Sequence, residues 1–390
     1  MTRAVSTPRI LIIAGSDSGG GAGIQADIKT VTMLGGHAMT AVTAITAQNT
    51  LGVQLVAPVS PDVVAEQMAS VLDDIGVDAI KIGMLPNEEI VRIVAGVLLA
   101  WRGPPERWLP GTRMPVPVVL DPVLVATSGD ALADASVAKA IVGRLMPFAS
   151  VVTPNFREAR VLMDIPGFTD RGVPILCKGG DADGDEICDT LYGLYGDNVD
   201  WTDKRIATAH SHGTGCTLAS AIATFLAYGY PLVEAIGHAR RFVRLALHDA
   251  PGLGGGHGPM GHQRVRLDAG PGARLNQVTV PMAAGSEAFY RTLGLTQIVD
   301  TEDGHYARFE AAGGATLSTE AGAAPTVFFE CDDLDAEVAR LQAAGFVFDH
   351  LPVTQEWLWR EARVRDPAGT IVCLYQAGEN RRYPPWRLPA

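Results

Sequence analysis

Between residue 9 and about residue 250, the chain alternates short, uniformly apolar runs with longer segments of helical periodicity. The apolar runs lack the polar–apolar alternation of a half-exposed strand, which is typical of strands buried on both faces of a parallel sheet. Strands are predicted at residues 10–14, 79–82, 116–121, 151–154 and 175–178, and helices at about 24–34, 214–228 and 233–247. We therefore expect an α/β domain whose mostly parallel sheet is covered by helices.

A segment rich in glycine and proline, residues 251–273, follows the last of these helices and is typical of a domain end that leads into a linker. Beyond it, a strand–helix–strand pattern occurs twice, with the helix-ending glycines Gly294 and Gly345 about 50 residues apart. Strands are predicted at 277–281, 305–310, 315–319, 326–331 and 370–376, and helices at 287–293 and 335–344. This pattern predicts a smaller α+β domain of two βαβββ repeats.

These patterns divide the chain into four segments. The α/β domain is predicted at residues 1–264, a linker at 265–274, the α+β domain at 275–378 and a C-terminal tail at 379–390. A length of 390 residues exceeds the usual size of one hydrophobic core, which supports two domains. A hydrophobic content of 47% with 19% charged residues indicates an ordinary globular protein.

Charge and cysteine content narrow the class of protein further. The formal net charge of −12 argues against general binding to nucleic acid. The apolar run at residues 10–14 is too short for a secretory signal, and no stretch reaches the roughly 20 apolar residues of a membrane-spanning helix. The five cysteines lack the paired spacing of a metal site, so we expect free thiols in a cytoplasmic protein.

Two glycine-rich turns are candidates for binding phosphate. Residues 15–23 (GSDSGGGAG) connect a predicted strand to a helix, where backbone N–H groups would face a ligand, but no Gly-Lys-Ser/Thr closes a P-loop. Residues 212–217 (HGTGCT) begin a long helix, whose dipole would stabilise a migrating phosphoryl group. Cys216 would lie in its first turn, where the thiol pKa is expected to be lowered. Structural turns and a small buried cysteine are the alternatives.

Polar residues also follow two of the predicted strands. Lys178, in the sequence KGG, would supply a cation that neutralises phosphate. Asn155 and Glu158 lie three apart at a helix start, where Glu158 could order water around Mg²⁺. The alternatives are a surface lysine at a turn and an ordinary helix cap. All these residues fall at strand ends or helix starts, where open α/β sheets bind ligands.

The first domain resembles the hydroxymethylpyrimidine/phosphomethylpyrimidine kinases of thiamine biosynthesis, members of the ribokinase superfamily. The matching segments are AGSDSGGGAGIQADIKT, TAITAQNT, IKIGML, LDPVLVATSGDAL, TPNFREA, CKGGD, SHGTGCTLASAI and GHGPMGH. The resemblance implies a three-layer α/β/α fold. It also implies two ATP- and Mg²⁺-dependent steps, from 4-amino-5-hydroxymethyl-2-methylpyrimidine to its monophosphate and then to the diphosphate.

The resemblance further assigns roles to individual residues. It implies that Gln48 binds the amino and ring-nitrogen edge of the pyrimidine, and that Gly15, Met84 and Val123 contact the ring region. It implies Cys216 as the catalytic base. The other implied roles are an anion hole at Gly213, Thr214, Gly215 and Cys216, a phosphate contact at Lys178, and support of the Mg²⁺–nucleotide by Asn155 and Glu158. Two departures from the family are the AHS sequence at residues 209–211 and an insertion at 101–115.

The second domain resembles the vicinal-oxygen-chelate superfamily, which includes glyoxalase I, extradiol dioxygenases and bleomycin-resistance proteins. The segments are QVTVPM, SEAFYRTLGL, TVFFECDDLDAEVARLQAAGF and DPAGTIVCLYQ. The superfamily's metal-ligand positions appear here as Gln277, Thr326 and Cys373, which do not form a hard-cation site; His305 and Glu330 lie nearby. We expect a metal-free module for small-molecule binding or dimerisation, with Trp357 and Trp359 as candidate walls of a cleft.

Several alternatives stay open at this stage. Pyridoxal-type kinases share the cysteine-containing anion hole, and only Gln48 and the GSDSGGGAGIQAD segment favour the pyrimidine. The tail domain also permits a ligand-sequestering protein or a metal-dependent lyase. Both families tend to be dimeric, so the expected partners are a small-molecule substrate and a second copy of the chain, with neither nucleic acid nor membrane.

Overall fold

The computed structural model describes residues 7–102, 116–125, 134–180, 184–194, 197–265, 274–301, 304–311, 315–365 and 369–388. The chain forms two compact units, Met1–Ala269 and Gly270–Ala390. Most of the predicted linker at 265–274 and of the insertion at 101–115 lies outside the described residues. Within the described residues, no helix is both long and apolar enough to cross a bilayer.

The first unit is built around an eight-stranded sheet and a separate two-stranded hairpin. Its strands are β1 (Arg9–Ala14), β2 (His37–Val42), β3 (Ala44–Asn49), β4 (Gly52–Pro58), β5 (Ala79–Ile82), β6 (Val118–Leu120), β7 (Val151–Val152), β8 (Ile175–Cys177), β9 (Glu186–Leu194) and β10 (Asp197–Lys204). Its helices are α1 (Gly23–Met33), α2 (Pro61–Ser70), α3 (Glu88–Arg102), α4 (Ala135–Ala140), α5 (Phe156–Met163), α6 (Thr214–Ala227) and α7 (Leu232–His248).

The large sheet has the order β10-β9-β8-β7-β6-β5-β1-β2, and its pairs are parallel from β2 through β8. Strands β1 and β5 are almost wholly buried because helices pack on both faces. Leu11 and Ile13 face the core formed with α2, α3 and α4, while α1 and α6 contact the sheet from the other side. The predicted three-layer α/β/α architecture with a mostly parallel sheet is confirmed.

Strands β2, β3, β4, β9 and β10 and helices α2, α3 and α4 of this unit were not predicted. Strands β9 and β10 add an antiparallel edge to the sheet, and β3 pairs with β4 in a hairpin that exposes Ile45, Leu51 and Leu55. The patterns of both mix polar and apolar residues, because these strands are not covered on both faces. Strands β6 and β7 are also shorter than predicted, since the chain leaves the sheet early to enter the loops that carry polar residues.

The second unit is a single eight-stranded sheet with two helices among the described residues. Its strands are β11 (Arg274–Pro281), β12 (Thr296–Asp300), β13 (Tyr306–Glu310), β14 (Thr316–Glu320), β15 (Thr326–Glu330), β16 (Phe348–Thr354), β17 (Arg360–Arg365) and β18 (Ile371–Gln376). Its helices are α8 (Ser286–Thr292) and α9 (Leu334–Ala343).

The order of this second sheet, β12-β13-β14-β11-β15-β18-β17-β16, contains two copies of one βαβββ unit that meet at the antiparallel pair β11–β15. The predicted repeat is therefore confirmed, although β12, β16 and β17 were missed. Helix α9 packs on one face of the sheet, where Leu334 and Val338 contact Ala362 and Leu374. Because strand side chains alternate, the neighbours of Ala362 and Leu374 lie on the opposite face.

Candidate active site

The structure brings all the predicted site residues of the first unit to one cavity of about 480 Å³. These residues are Gly15, Gln48, Met84, Val123, Asn155, Glu158, Lys178, Gly213, Thr214, Gly215 and Cys216. Several of them directly follow β1, β6, β7 and β8. Parallel strands end at the same edge of a sheet, so residues that are far apart in sequence meet there. The volume is in the range of small-molecule sites.

The two glycine-rich turns pack directly against each other at one wall of this cavity. Gly213, the residue before α6, has a φ of 85°, and a Cβ added to it would lie 2.0 Å from the Gly21 carbonyl oxygen. A Cβ on Gly21 would lie 2.6 Å from Cδ2 of His212. Glycine is therefore required on both sides of the contact. The contact holds the first backbone N–H groups of α6 beside the 15–23 loop.

Asp17 organises the 15–23 loop from inside. Its side chain is 2% exposed and accepts hydrogen bonds from the backbone N–H groups of Gly19, Gly21 and Ala22 at 2.7–2.9 Å. Nε2 of His212 lies 3.1 Å from the same carboxylate. Burial alone would raise the pKa of Asp17, but the hydrogen bonds from His212 and the backbone outweigh it and lower the pKa. The loop therefore keeps an ionised carboxylate at its centre.

Lys178 is held at the beginning of α6 by a buried carboxylate. Its Nζ forms an ion pair of 2.8 Å with Oδ1 of Asp121, which also accepts a hydrogen bond from Thr153. A Cβ on Gly215 would lie 3.0 Å from Nζ, so the ammonium group adjoins the anion-hole backbone. Burial opposes its charge, but Asp121 and Glu158 outweigh burial and raise the pKa of Lys178. The lysine is therefore a fixed cation at this position.

Asn155 and Glu158 form a capping box at the start of α5. Oδ1 of Asn155 accepts from the Glu158 N–H at 2.8 Å, and Oε2 of Glu158 accepts from the Asn155 N–H at 2.9 Å. Glu158 is only 4% exposed. Burial raises its pKa to about 7, with Lys178 opposing and Asp121 adding to the shift. Asn155 and Glu158 therefore cap α5, as the alternative interpretation of the sequence held, and both residues also line the cavity.

The structure contradicts the expectation that the helix start lowers the pKa of Cys216. Burial raises the pKa of its thiol to about 11. Lys81 and the Gly23 N–H act in the opposite direction but do not compensate. The positive end of the helix dipole favours a thiolate, but desolvation inside the protein disfavours the thiolate more strongly. The Cys216 thiol is therefore expected to be protonated at neutral pH.

A buried ion pair lies behind Cys216. Nζ of Lys81 is 2.8 Å from Oδ2 of Asp27, both side chains are fully buried, and Ser220 donates to the other oxygen of Asp27 at 2.7 Å. Burial opposes the charge of Lys81, but Asp27 outweighs it and raises the pKa of Lys81, with smaller contributions from Cys216 and Asp121. The lysine therefore stays charged and favours a thiolate at Cys216.

At the other end of the cavity, Gln48 lies between Thr46 and His212. Its Oε1 accepts a hydrogen bond of 3.3 Å from the Thr46 hydroxyl, and its Nε2 lies 3.2 Å from Nε2 of His212. Met84 approaches Gly15 so closely that a Cβ there would lie 3.0 Å from the Met84 sulfur. The predicted substrate residues thus form a continuous wall beside the two glycine-rich turns.

Sequence reasoning did not single out four residues that the structure places in or behind the site. They are Asp17, Lys81, Asp121 and His212. Asp17 and His212 were visible within the glycine-rich motifs, and Asp121 ended a predicted strand. Lys81 gave the strongest missed signal, because a lysine inside the apolar run Ala79–Ile82 must have a buried partner.

In the second unit, the predicted metal-ligand positions do not form a cluster of ligands. Gln277 accepts a hydrogen bond of 2.9 Å from Thr316, and the Cys373 thiol lies 3.5 Å from Oε2 of Glu361. Gln277 and Cys373 both pair with Phe328 of β15, whereas Thr326 lies two positions earlier on that strand. No group of three or more His, Cys, Asp or Glu side chains among the described residues has the arrangement of a metal site.

The other candidate residues of the second unit separate into buried and exposed positions. Glu330 is 4% exposed and lies 3.4 Å from Nε of Arg381. Trp359 is 3% exposed and stacks on Tyr375 with ring centroids 4.4 Å apart. Trp357 is 42% exposed, so the two tryptophans do not share one environment.

Comparison with known proteins agrees with the division of the chain into two units. Residues 17–261 match the family model described as phosphomethylpyrimidine kinase. Residues 274–374 match the glyoxalase/bleomycin resistance protein/dioxygenase superfamily. The hydroxymethylpyrimidine/phosphomethylpyrimidine kinase of Mycobacterium tuberculosis is 43% identical over 273 residues, covering 66% of this chain and 94% of the relative.

Two further matches extend the comparison. The thiamine biosynthesis multifunctional protein ThiED of Corynebacterium efficiens is 35% identical over 407 aligned positions, covering 87% of this chain and 53% of the relative. That share exceeds the first unit, so the match continues into the second. The ADP complex of Bacillus subtilis pyridoxal kinase has a TM-score of 0.58 at 32% identity, covering 67% of this chain and all of that structure. With the matching family model, the shared site motifs and relatives of this identity, the chain belongs to the phosphomethylpyrimidine kinase family.

Proposed function

We propose that the first unit transfers a phosphoryl group from ATP to the hydroxymethyl group of 4-amino-5-hydroxymethyl-2-methylpyrimidine, and then phosphorylates the monophosphate to the diphosphate. The observation that carries the proposal is the single cavity in which Gln48, Lys178 and the 212–217 turn meet. It occurs in a chain whose relatives at 41–43% identity are named as kinases of this pyrimidine and its phosphate. The product would serve synthesis or salvage of thiamine diphosphate.

Phosphoryl transfer requires mainly positioning and stabilisation of charge. The N–H groups of Gly213, Gly215 and Cys216 are proposed to provide the anion hole at the positive end of α6. The Thr214 N–H, also expected there, donates a hydrogen bond of 3.3 Å to the Ser211 carbonyl oxygen and would have to exchange this partner for phosphate. Lys178 adds a full positive charge beside that backbone, and Asp121 keeps it in place at 2.8 Å. The close contact between the two glycine-rich turns makes this arrangement rigid before the substrate arrives. Stabilisation of the transferring group therefore costs little reorganisation.

The chemistry of the donor set fits Mg²⁺ that arrives with the nucleotide. Mg²⁺ retains several waters and uses one or two carboxylates together with phosphate oxygens. Asp121 and Glu158 both line the cavity and act electrostatically on Lys178, and they would provide those carboxylates. When bound, the ion would neutralise charge on the phosphates. Asn155 would act by fixing Glu158 through the capping box.

Cys216 is proposed as the base that accepts the proton of the substrate hydroxyl. Its thiol lines the cavity between the anion-hole backbone and the charge of Lys81. Since burial raises its pKa to about 11, only a small fraction is thiolate at neutral pH. Proton acceptance is therefore expected to respond steeply to pH.

Gln48 is proposed to recognise the pyrimidine edge, because its amide offers one donor and one acceptor. If Nε2 of His212 donates its proton to Asp17, at 3.1 Å, it cannot also accept from Gln48. The amide nitrogen of Gln48 then stays available to a ring nitrogen. Gly15, Met84 and Val123 supply the surface beside the ring.

For the second unit we propose a metal-free module that binds a small molecule or contributes to a homodimer. The exposed Ile45, Leu51 and Leu55 of the β3–β4 hairpin support self-association of the first unit.

Free thiols at all five cysteines are compatible with a reducing compartment, so we propose that the protein is located in the cytoplasm.

The test is product analysis with the full chain, Mg-ATP and the hydroxymethylpyrimidine, with pyridoxal as competitor. We expect the monophosphate to appear first and the diphosphate to follow, with little pyridoxal phosphate. Dominant pyridoxal phosphate would overturn the assignment of Gln48 and favour the pyridoxal-type alternative. Absence of both products would favour a ligand-sequestering protein.

A further inference from the structure

One face of the second unit's sheet is lined with buried polar side chains. Gln277, Thr279 and Ser318 are each at most 4% exposed. Arg308 pairs with Ser318 on the neighbouring strand, and Ser318 pairs with Thr279, so the three form a row across β13, β14 and β11. The apolar side chains of these strands belong to the other face. Burying a polar face is costly for a fold alone and is typical of a ligand site.

Arg308 is the central charge on this face. Its side chain is 4% exposed, yet neither Nε nor Nη2 has a hydrogen-bond partner within the part of the chain that the structure describes. Its guanidinium carbon lies 5.3 Å from the ring centroid of Trp359, within the range of a cation–π contact. Nε–H and Nη2–H lie on the same edge of the guanidinium, where together they match the two oxygens of a carboxylate or phosphate.

The other arginines around this face already have carboxylate partners at 2.6–3.4 Å. These ion pairs are Arg363–Glu361, Arg381–Glu330, Arg382–Glu310 and Arg387–Glu310. For Arg308, no carboxylate oxygen of the described residues lies within ion-pair distance. Burial lowers the pKa of Arg308; Tyr306 and Tyr375 oppose this shift, and the charges of Arg381 and Arg387 add to it. Arg308 is therefore a buried cation without a carboxylate partner among the described residues.

We propose that the second unit binds a small molecule through a carboxylate or phosphate group that accepts hydrogen bonds from Nε–H and Nη2–H of Arg308. The inference rests on the proposal that this unit is a binding module, and it specifies the charge of the ligand. An oxyanion would satisfy both N–H groups and neutralise the buried charge at once. No metal is needed for this interaction.

The test is hydrogen-exchange mass spectrometry on the full chain, which reports the two units separately. The probes are inorganic phosphate and succinate, with sodium chloride at equal ionic strength as the control. In the wild type, we expect at least one of the two oxyanions to slow hydrogen exchange in peptides covering residues 304–311 and 315–325. Arg340→Gln, at an exposed arginine of α9, removes the same charge and should leave protection unchanged. Arg308→Gln should abolish it.

A second variant covers the case in which Arg308→Gln fails to fold. Arg308→Lys retains the charge but lacks the paired N–H groups, so its affinity for the protecting oxyanion should fall about tenfold or more. Equal protection in the wild type and Arg308→Gln, protection by chloride alone, or no protection by either oxyanion would overturn the inference.

The uncharged hydroxymethylpyrimidine, as a further probe, separates this inference from the broader proposal. Protection of the same peptides by it, with none by the oxyanions, would retain a binding module and reject the anion site. Kinase activity measured on the same samples tests the first unit independently.

Discussion

The rate of pyrimidine phosphorylation should rise steeply with pH if Cys216 is the base. Burial places the pKa of its thiol at about 11, and only the thiolate can accept a proton. Below the pKa the thiolate fraction grows tenfold for each pH unit, so kcat/KM should increase about 100-fold from pH 7 to pH 9. Bound phosphates add negative charge, which moves the thiol pKa further upward and preserves the slope over this range.

The assay is kcat/KM for hydroxymethylpyrimidine at saturating Mg-ATP from pH 7 to pH 9. Glu158, whose pKa burial raises to about 7, completes its ionisation at the lower end of this range and can add only about a twofold change. Cys216→Ala should lower the rate by orders of magnitude, remove the slope and leave ATP affinity nearly unchanged. Cys188→Ala, at an exposed cysteine of the same unit, is the matched control and should keep the wild-type profile. A flat wild-type profile, or the same slope in Cys216→Ala, would refute Cys216 as the base.

Three further substitutions test the parts of the site separately. Lys81→Met leaves Asp27 buried without its cation and should lower the free energy of unfolding by about 3–5 kcal/mol. Denaturant titration measures this loss, and a loss below about 1 kcal/mol, as for an exposed ion pair, would contradict the prediction. Gly213→Ala places a Cβ 2.0 Å from the Gly21 carbonyl oxygen, so activity and the melting temperature should both fall, and an unchanged melting temperature would argue against the close contact. Gln48→Leu should reduce kcat/KM for the pyrimidine about 10–100-fold while KM for ATP stays nearly constant; equal losses for both substrates would reject its role in recognising the ring.

The sequence was most informative where local composition and long-range packing impose the same requirement. The buried strands β1 and β5 were predicted almost to the residue, because both faces of each need apolar side chains. The glycine-rich turns and the residues after the parallel strands were also predictable. Backbone that closely approaches a ligand or another loop must lack a side chain, as at Gly213.

Edge strands and electrostatics were harder to predict from the sequence. Strands β2, β3, β4, β9, β10, β12, β16 and β17 face solvent on part of their surface, so their patterns are mixed and they were missed. The pKa of Cys216 was predicted in the wrong direction. A helix start is visible in the sequence, whereas the depth of burial around it is not.

The sequence by itself determined the α/β and α+β division, the repeated βαβββ unit and many of the residues that line the kinase cavity. It did so because strand period, glycine positions and charge at strand ends are local properties of the chain, but it did not single out Asp17, Asp121 and His212. Only the tertiary structure decided which side chains interact: Asp121 pairs with Lys178, and Lys81 pairs with Asp27 behind Cys216. It also showed that Arg308 has no carboxylate partner among the described residues of the second unit. Pairing and desolvation depend on neighbours far away in sequence, and they set the charge state that each side chain has in the folded protein.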